Sequence, residues 1–257
     1  MNTEASIGLF GGTLALGAAV FLSVSPAIRP SVDIHAEYVK YLSGRDTITA
    51  YLAYPERSDP APGVIVIHEI FGLSDFIRQT TEQLAKDGFV AIAPDLLSRR
   101  GGTPALGDSV RRVISSLAPD SVTADLDAAQ AYLKTLKAVR ANAIGVIGFC
   151  WGGGQSFRYA TNNSGVRAFV VCYGPSPRVE DLARIRAKGL GVYAENDARI
   201  NAGLSEAAAA LRRAGKDYRY TIYPGVGHGF LRSRENPEVA DSAWGAVTRF
   251  FRAQMGR

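Results

Sequence analysis

Residues 148–153 read "GFCWGG", and the fold is decided by how this stretch is read. Its spacing, Gly148-x-Cys150-x-Gly152, is that of the Gly-x-Ser-x-Gly elbow, in which a strand turns sharply into a helix and holds its central side chain at the apex. The run before it, "AIGVIGF", is short, apolar and β-branched as a buried strand should be, and helical sequence continues after it through Ala160. The flanking glycines permit the close approach of helix to strand that such an elbow needs, and a place just before a helix N-terminus favours a thiolate at Cys150. Two plainer readings compete. A lone cysteine is usually an inert buried thiol, and Cys150 and Cys172, the chain's two cysteines, would pair in an oxidising compartment. That pairing requires the elbow to twist toward a neighbouring strand.

Working outward, apolar strand-like runs alternate with helical segments, which predicts an α/β fold with a mainly parallel sheet and helices on both faces. "ITAYLAYP" (48–55) alternates as an early strand, and "GVIVIHEIFG" (63–72) is a continuous apolar run suited to burial on both faces. A helix over 76–87 ends near Gly88, and "FVAIAPDL" is the next strand. The Gly- and Pro-rich segment 97–108 reads as a loop, and 122–139 as a helix with acidic residues early and lysines late, as the helix dipole prefers. After the elbow helix come the strands "RAFVVCYG" and "GLGVYAEND", the alanine-rich helix "SEAAAALRRAG", the strand "DYRYTIYPG" and a last helix with Trp244, Phe250 and Phe251 on its core face. The intervals between strands leave no room for a large cap domain.

A nucleophile needs a base, an orienter for that base, and donors for the oxyanion. In open α/β sheets such groups collect at the carboxyl ends of strands. Cys150 follows one predicted strand, Asp197 in "AENDAR" follows another, and His228 in "GVGHGF" follows the last. Singly, such an aspartate is usually a turn former and such a histidine a loop residue. Together they fall after successive strands in the order nucleophile, acid, histidine, which is that of α/β-hydrolases. His35 precedes the first predicted strand and His68 sits within one, where a satisfied core histidine is expected. No histidine–carboxylate spacing suggests a metal, and no cofactor is expected.

The motifs "GFCWGG", "END" and "GHGF", with "HEIFG" at 68–72, resemble those of the dienelactone hydrolases, small α/β-hydrolases that use cysteine in place of serine. The resemblance covers nearly the whole chain after residue 31. It implies Cys150 as nucleophile, His228 as general base, Asp197 as its orienter, and Glu69 as a buried carboxylate that holds the resting thiol and is displaced by substrate. A carboxylate within an apolar run is costly unless paired or protonated, while a glutamate at a solvated strand end is the plainer alternative. The N–H groups of Ile70 and Trp151 would form the oxyanion hole, and Arg232 would bind a substrate carboxylate, a task that suits a guanidinium. The chain departs from the family where a second carboxylate-binding arginine and a tyrosine are expected: the region reads "GDSVRRVISSLAPDS", leaving Arg111 or Arg112 as substitutes and no tyrosine.

The implied activity is opening of a small ester or lactone, anionic or neutral, with a general carboxylesterase or a non-catalytic binding protein as the alternatives. Of the 257 residues, 29 Lys+Arg against 24 Asp+Glu make the chain only mildly basic, with arginines scattered, which argues against a nucleic-acid partner. Residues 1–30 stand apart from the expected domain, 31–257. The run from Ile7 to Val24 is uncharged, at the lower length for a membrane span, and is followed by the small-residue sequence "SPA" at 25–27. It reads as an export signal, ahead of a retained anchor or a buried extension. Any membrane contact would run through this leader. Oligomeric state is not legible.

Overall fold

The computed structural model describes residues 32–256, so the leader lies outside the described residues. Eight strands form one sheet: β1 (Ile34–Ser43), β2 (Asp46–Pro55), β3 (Ala61–Ile67), β4 (Val90–Pro94), β5 (Val139–Phe149), β6 (Ala168–Cys172), β7 (Lys188–Asn196) and β8 (Tyr218–Gly227). Their spatial order is β1-β2-β4-β3-β5-β6-β7-β8. β2 runs antiparallel to both β1 and β4, and every later pairing is parallel.

The helices are α1 (Asp75–Lys86), α2 (Thr103–Leu106), α3 (Val110–Ser115), α4 (Pro119–Thr135), α5 (Trp151–Asn162), α6 (Ala198–Asn201), α7 (Leu204–Arg213), α8 (Phe230–Ser233) and α9 (Pro237–Met255). They cover both faces, as parallel strands require. Side chains alternate along a strand, so in β3 Ile65 and Ile67 join a core with Phe157 of α5 and Leu126 of α4, while Val64 and Val66 join one with Ile77 of α1 and Phe251 of α9. Each fully buried Val or Ile side chain contributes about 1.5–3 kcal/mol, which makes this central strand a rigid base for the loop that follows it. Among the described residues no cap domain covers the carboxyl ends of the strands, and no helix is long and apolar enough to cross a membrane.

Several sequence expectations need correction. His35 lies within β1 rather than before the first strand; β1 is a sheet edge whose residues are mostly exposed, so it lacks a continuous apolar signal. β3 ends at Ile67, so His68 and Glu69 stand just beyond the strand, although both are buried. The segment 97–108 is a chain of short helical turns including α2, not an open loop. The helix expected over 122–139 is α4, which starts at Pro119, a favoured first-turn residue, and Val139 already belongs to β5.

Candidate active site

The elbow forms as its glycines predict. A Cβ at Gly148 would collide with the carbonyl oxygen of Gly152, and one at Gly152 with the carbonyls of Ile67 and His68. Helix α5 begins Trp-Gly-Gly-Gly, a poor helical sequence, so packing against β3 and β6 maintains it. Cys150 takes φ 56°, ψ −117°, a conformation that costs roughly 1–3 kcal/mol for a residue other than glycine and is typical of functional positions. Its N–H donates to the Cys172 carbonyl at 3.0 Å, yet both cysteines are free thiols. Cys172 is fully buried, and burial pushes its thiol well above the ordinary range, which suits an inert core residue.

Asp197 is the single residue between β7 and α6 and stands at the N-cap of α6, with its carbonyl accepting from Ile200 and Asn201 at 3.1 and 3.0 Å. Its Oδ2 is hydrogen-bonded to Nδ1 of His228, which leaves Nε2 of His228 outside that contact. The neighbouring Cys150 is the largest cause of a His228 pKa pushed from 6.5 to about 9; burial opposes the rise and Asp197 reinforces it. The structure therefore brings together Cys150, His228 and Asp197 from the ends of β5, β8 and β7, with the imidazole favoured in its charged form.

Glu69 is 2 % exposed, at the turn after β3, and its Oε2 lies 3.1 Å from Nε of Arg232. The ion pair lacks hydrogen-bond alignment, since Oε2 accepts no hydrogen bond from the described residues. Burial raises the Glu69 pKa, against the lowering influence of Arg232 and His228. The resemblance implied a contact with the thiol; here the partner of Glu69 is Arg232. The guanidinium of Arg232 also lies 4.9 Å from the centre of the Phe71 ring, and that of Arg111 lies 4.7 Å from the same ring. Of the two substitute arginines, Arg111 thus reaches the site, whereas Arg112 stays on the surface beside Ser109.

Ile70 is the second residue of a turn closed by Gly72 N–H donating to the Glu69 carbonyl at 3.3 Å, with Gly72 at φ 69°. Trp151 is the first residue of α5, where backbone N–H groups have no intrahelical acceptor. Among the described residues neither the Ile70 nor the Trp151 N–H donates to a protein acceptor. Ile70 and Phe71 line a cavity of about 590 Å³ with Thr103, Pro104, Val110 and Arg111, a size that suits a small molecule.

Sequence reasoning missed two features. Tyr173, at φ 39°, is fully buried with its ring edge-on to His228 at 5.1 Å, and nothing in its sequence context signalled that role. Two carboxylates also brace the His228 loop: Glu195 accepts from Gly225 N–H at 2.8 Å and Glu235 from Gly227 N–H at 2.6 Å. Glu195 lies in the same "AENDAR" stretch that flagged Asp197.

A family model described as the dienelactone hydrolase family matches residues 48–255. A provisionally named carboxymethylenebutenolidase of Methylorubrum extorquens is 34 % identical over 222 residues, covering 80 % of this chain and 76 % of its own. One of Escherichia coli K12, also provisionally named, is 32 % identical over 247 residues, covering 89 % and 90 %. Among solved structures, a provisionally named dienelactone hydrolase of Klebsiella pneumoniae superimposes with a TM-score of 0.79 at 30 % identity, over 85 % of this chain and 98 % of that one.

Proposed function

The chain belongs to the dienelactone hydrolase family, and on that premise we propose that it opens a small ester or lactone through an acyl-thioenzyme on Cys150. The observation that carries this reading is the position of His228, hydrogen-bonded to Asp197 and near enough to Cys150 for the cysteine to raise its pKa. Cys150 Sγ attacks the substrate carbonyl carbon, and the oxygen takes up negative charge between the N–H groups of Ile70 and Trp151. His228, starting as imidazolium, gives its proton to the departing oxygen as the C–O bond breaks; in a lactone that oxygen remains on the acyl chain. The neutral imidazole then takes a proton from water as the water oxygen attacks the thioester. The C–S bond breaks, the acid leaves, and Cys150 and His228 return to their starting state.

We assign the substrate an anionic group, held by Arg111, which lines the cavity, and by Arg232 on the same Phe71 ring. Their convergence on Phe71 supports this, because a guanidinium grips a carboxylate through two parallel hydrogen bonds. A neutral ester is the second reading, favoured by the engagement of Arg232 with Glu69. The test is steady-state hydrolysis of a dienelactone beside a neutral aryl ester by leaderless, reduced protein, with Cys150→Ala as control. Faster Cys150-dependent opening of the lactone supports the first reading; turnover of the aryl ester alone supports the second. Equal turnover by Cys150→Ala contradicts both.

A further inference from the structure

We propose that His68 is a positioning residue that holds both oxyanion donors in place. The inference rests on the reading of Ile70 and Trp151 as those donors. His68 is wholly buried beyond the end of β3, and its Nδ1 lies 2.7 Å from the carbonyl oxygen of Glu69. A carbonyl only accepts, so Nδ1 carries the proton. Burial lowers the pKa of the ring, which keeps it neutral and leaves Nε2 bare.

The carbonyl it binds belongs to the Glu69–Ile70 peptide. All peptide bonds among the described residues are trans, and in a trans peptide the N–H lies on the edge opposite the C=O. Fixing the Glu69 oxygen therefore fixes the direction of the Ile70 N–H. The turn bond from Gly72 to the same oxygen, at 3.3 Å, is longer than the bond from His68. The imidazole also stacks on the Trp151 ring, with centroids 5.5 Å apart and planes 19° from parallel. Trp151 opens α5 and supplies the other donor. One side chain thus touches the residue that carries each donor or the peptide that contains it.

Simple core filling does not account for the imidazole. An apolar ring would occupy the same space without leaving Nε2 buried and unpartnered, as it is here. What the imidazole adds is the Nδ1 donor. Asp95, whose carboxylate accepts from Leu97 N–H, Thr103 N–H and the Thr103 hydroxyl, acts on the ring only through its charge.

The experiment compares His68→Phe, which keeps a ring and loses the donor, with His68→Asn, whose side-chain amide places an N–H near the position of Nδ1. Two rates are read: aryl-ester kcat and KM, and alkylation of Cys150 by iodoacetamide, a displacement that builds no oxyanion. Losing an oxyanion donor outright costs about 10²–10³ in kcat, and misaiming one should cost about tenfold or more. The expected result is that His68→Phe lowers kcat by that amount, leaves KM and alkylation within about twofold, and that His68→Asn recovers most of kcat. If His68→Phe does not fold, His68→Leu is compared with His68→Asn in the same way. Wild-type kcat in the donor-less variant, equal loss in His68→Asn, or a parallel fall in alkylation overturns the proposal. Absence of Cys150-dependent turnover in the wild type is a separate outcome, which removes the functional reading itself and the positioning role with it.

Discussion

Replacing Cys150 by alanine should release the proton that His228 holds. The rise from 6.5 to about 9 is a factor of roughly 300 in the protonation equilibrium, or about 3 kcal/mol. Its largest cause is the neighbouring Cys150, while burial opposes and Asp197 adds a smaller rise. Removing Sγ deletes the leading contribution and leaves the opposing burial in place. The His228 midpoint should therefore drop by more than about 1 pH unit, toward the ordinary histidine value, and Asp197→Asn should lower it by less. Alanine retains a Cβ, so the strained backbone at residue 150 changes little. The assay is an NMR titration of the His228 ring, assigned by its loss in His228→Gln; His68, held below the ordinary range, does not titrate near 9. A midpoint that stays near 9 in Cys150→Ala, or that moves more in Asp197→Asn, contradicts the dominance of the thiol contact.

Arg111→Ala should raise KM for an anionic lactone about tenfold and leave neutral-ester kinetics unchanged, as separate kcat and KM measurements will show. Arg111 is the cleaner probe, because Arg232→Ala also strips Glu69 of its counter-charge. Gly148→Ala should cost roughly 3 kcal/mol or more in urea unfolding, since its Cβ meets the backbone of Gly152 rather than a movable side chain. The apolar leader is proposed to direct export, so intact-mass analysis of the protein from its native cells should find a chain beginning after Ala27; retention of Met1–Ala27 counts against cleavage.

The parts of the site most legible in the sequence were those tied to strand ends. Cys150, Asp197 and His228 each stand where an apolar run stops, and the glycines around Cys150 carry a steric signature of the elbow. The parts that escaped depend on contacts between distant segments. Arg111 and Arg112 are adjacent in sequence, and only the orientation of α3 sends the first over Phe71 and the second to the surface. The apolar run over 63–72 could not show where hydrogen bonding ends, so His68 and Glu69 read as strand residues although β3 stops at Ile67. β1 lacks an apolar run because it is an edge, with Glu37, Tyr38 and Lys40 open to solvent. The partner of Glu69 was equally invisible, since it is supplied by α8, more than one hundred and fifty residues along the chain.

The most direct test of the covalent mechanism is to mix enzyme with an activated ester, quench in acid within the first turnover, and map the acylated peptide by mass spectrometry. The acyl group should reside on Cys150, accumulate no more slowly than turnover, and be missing from Cys150→Ala. Turnover with an unmodified Cys150, or an adduct on Cys172 alone, contradicts an acyl-thioenzyme at the elbow.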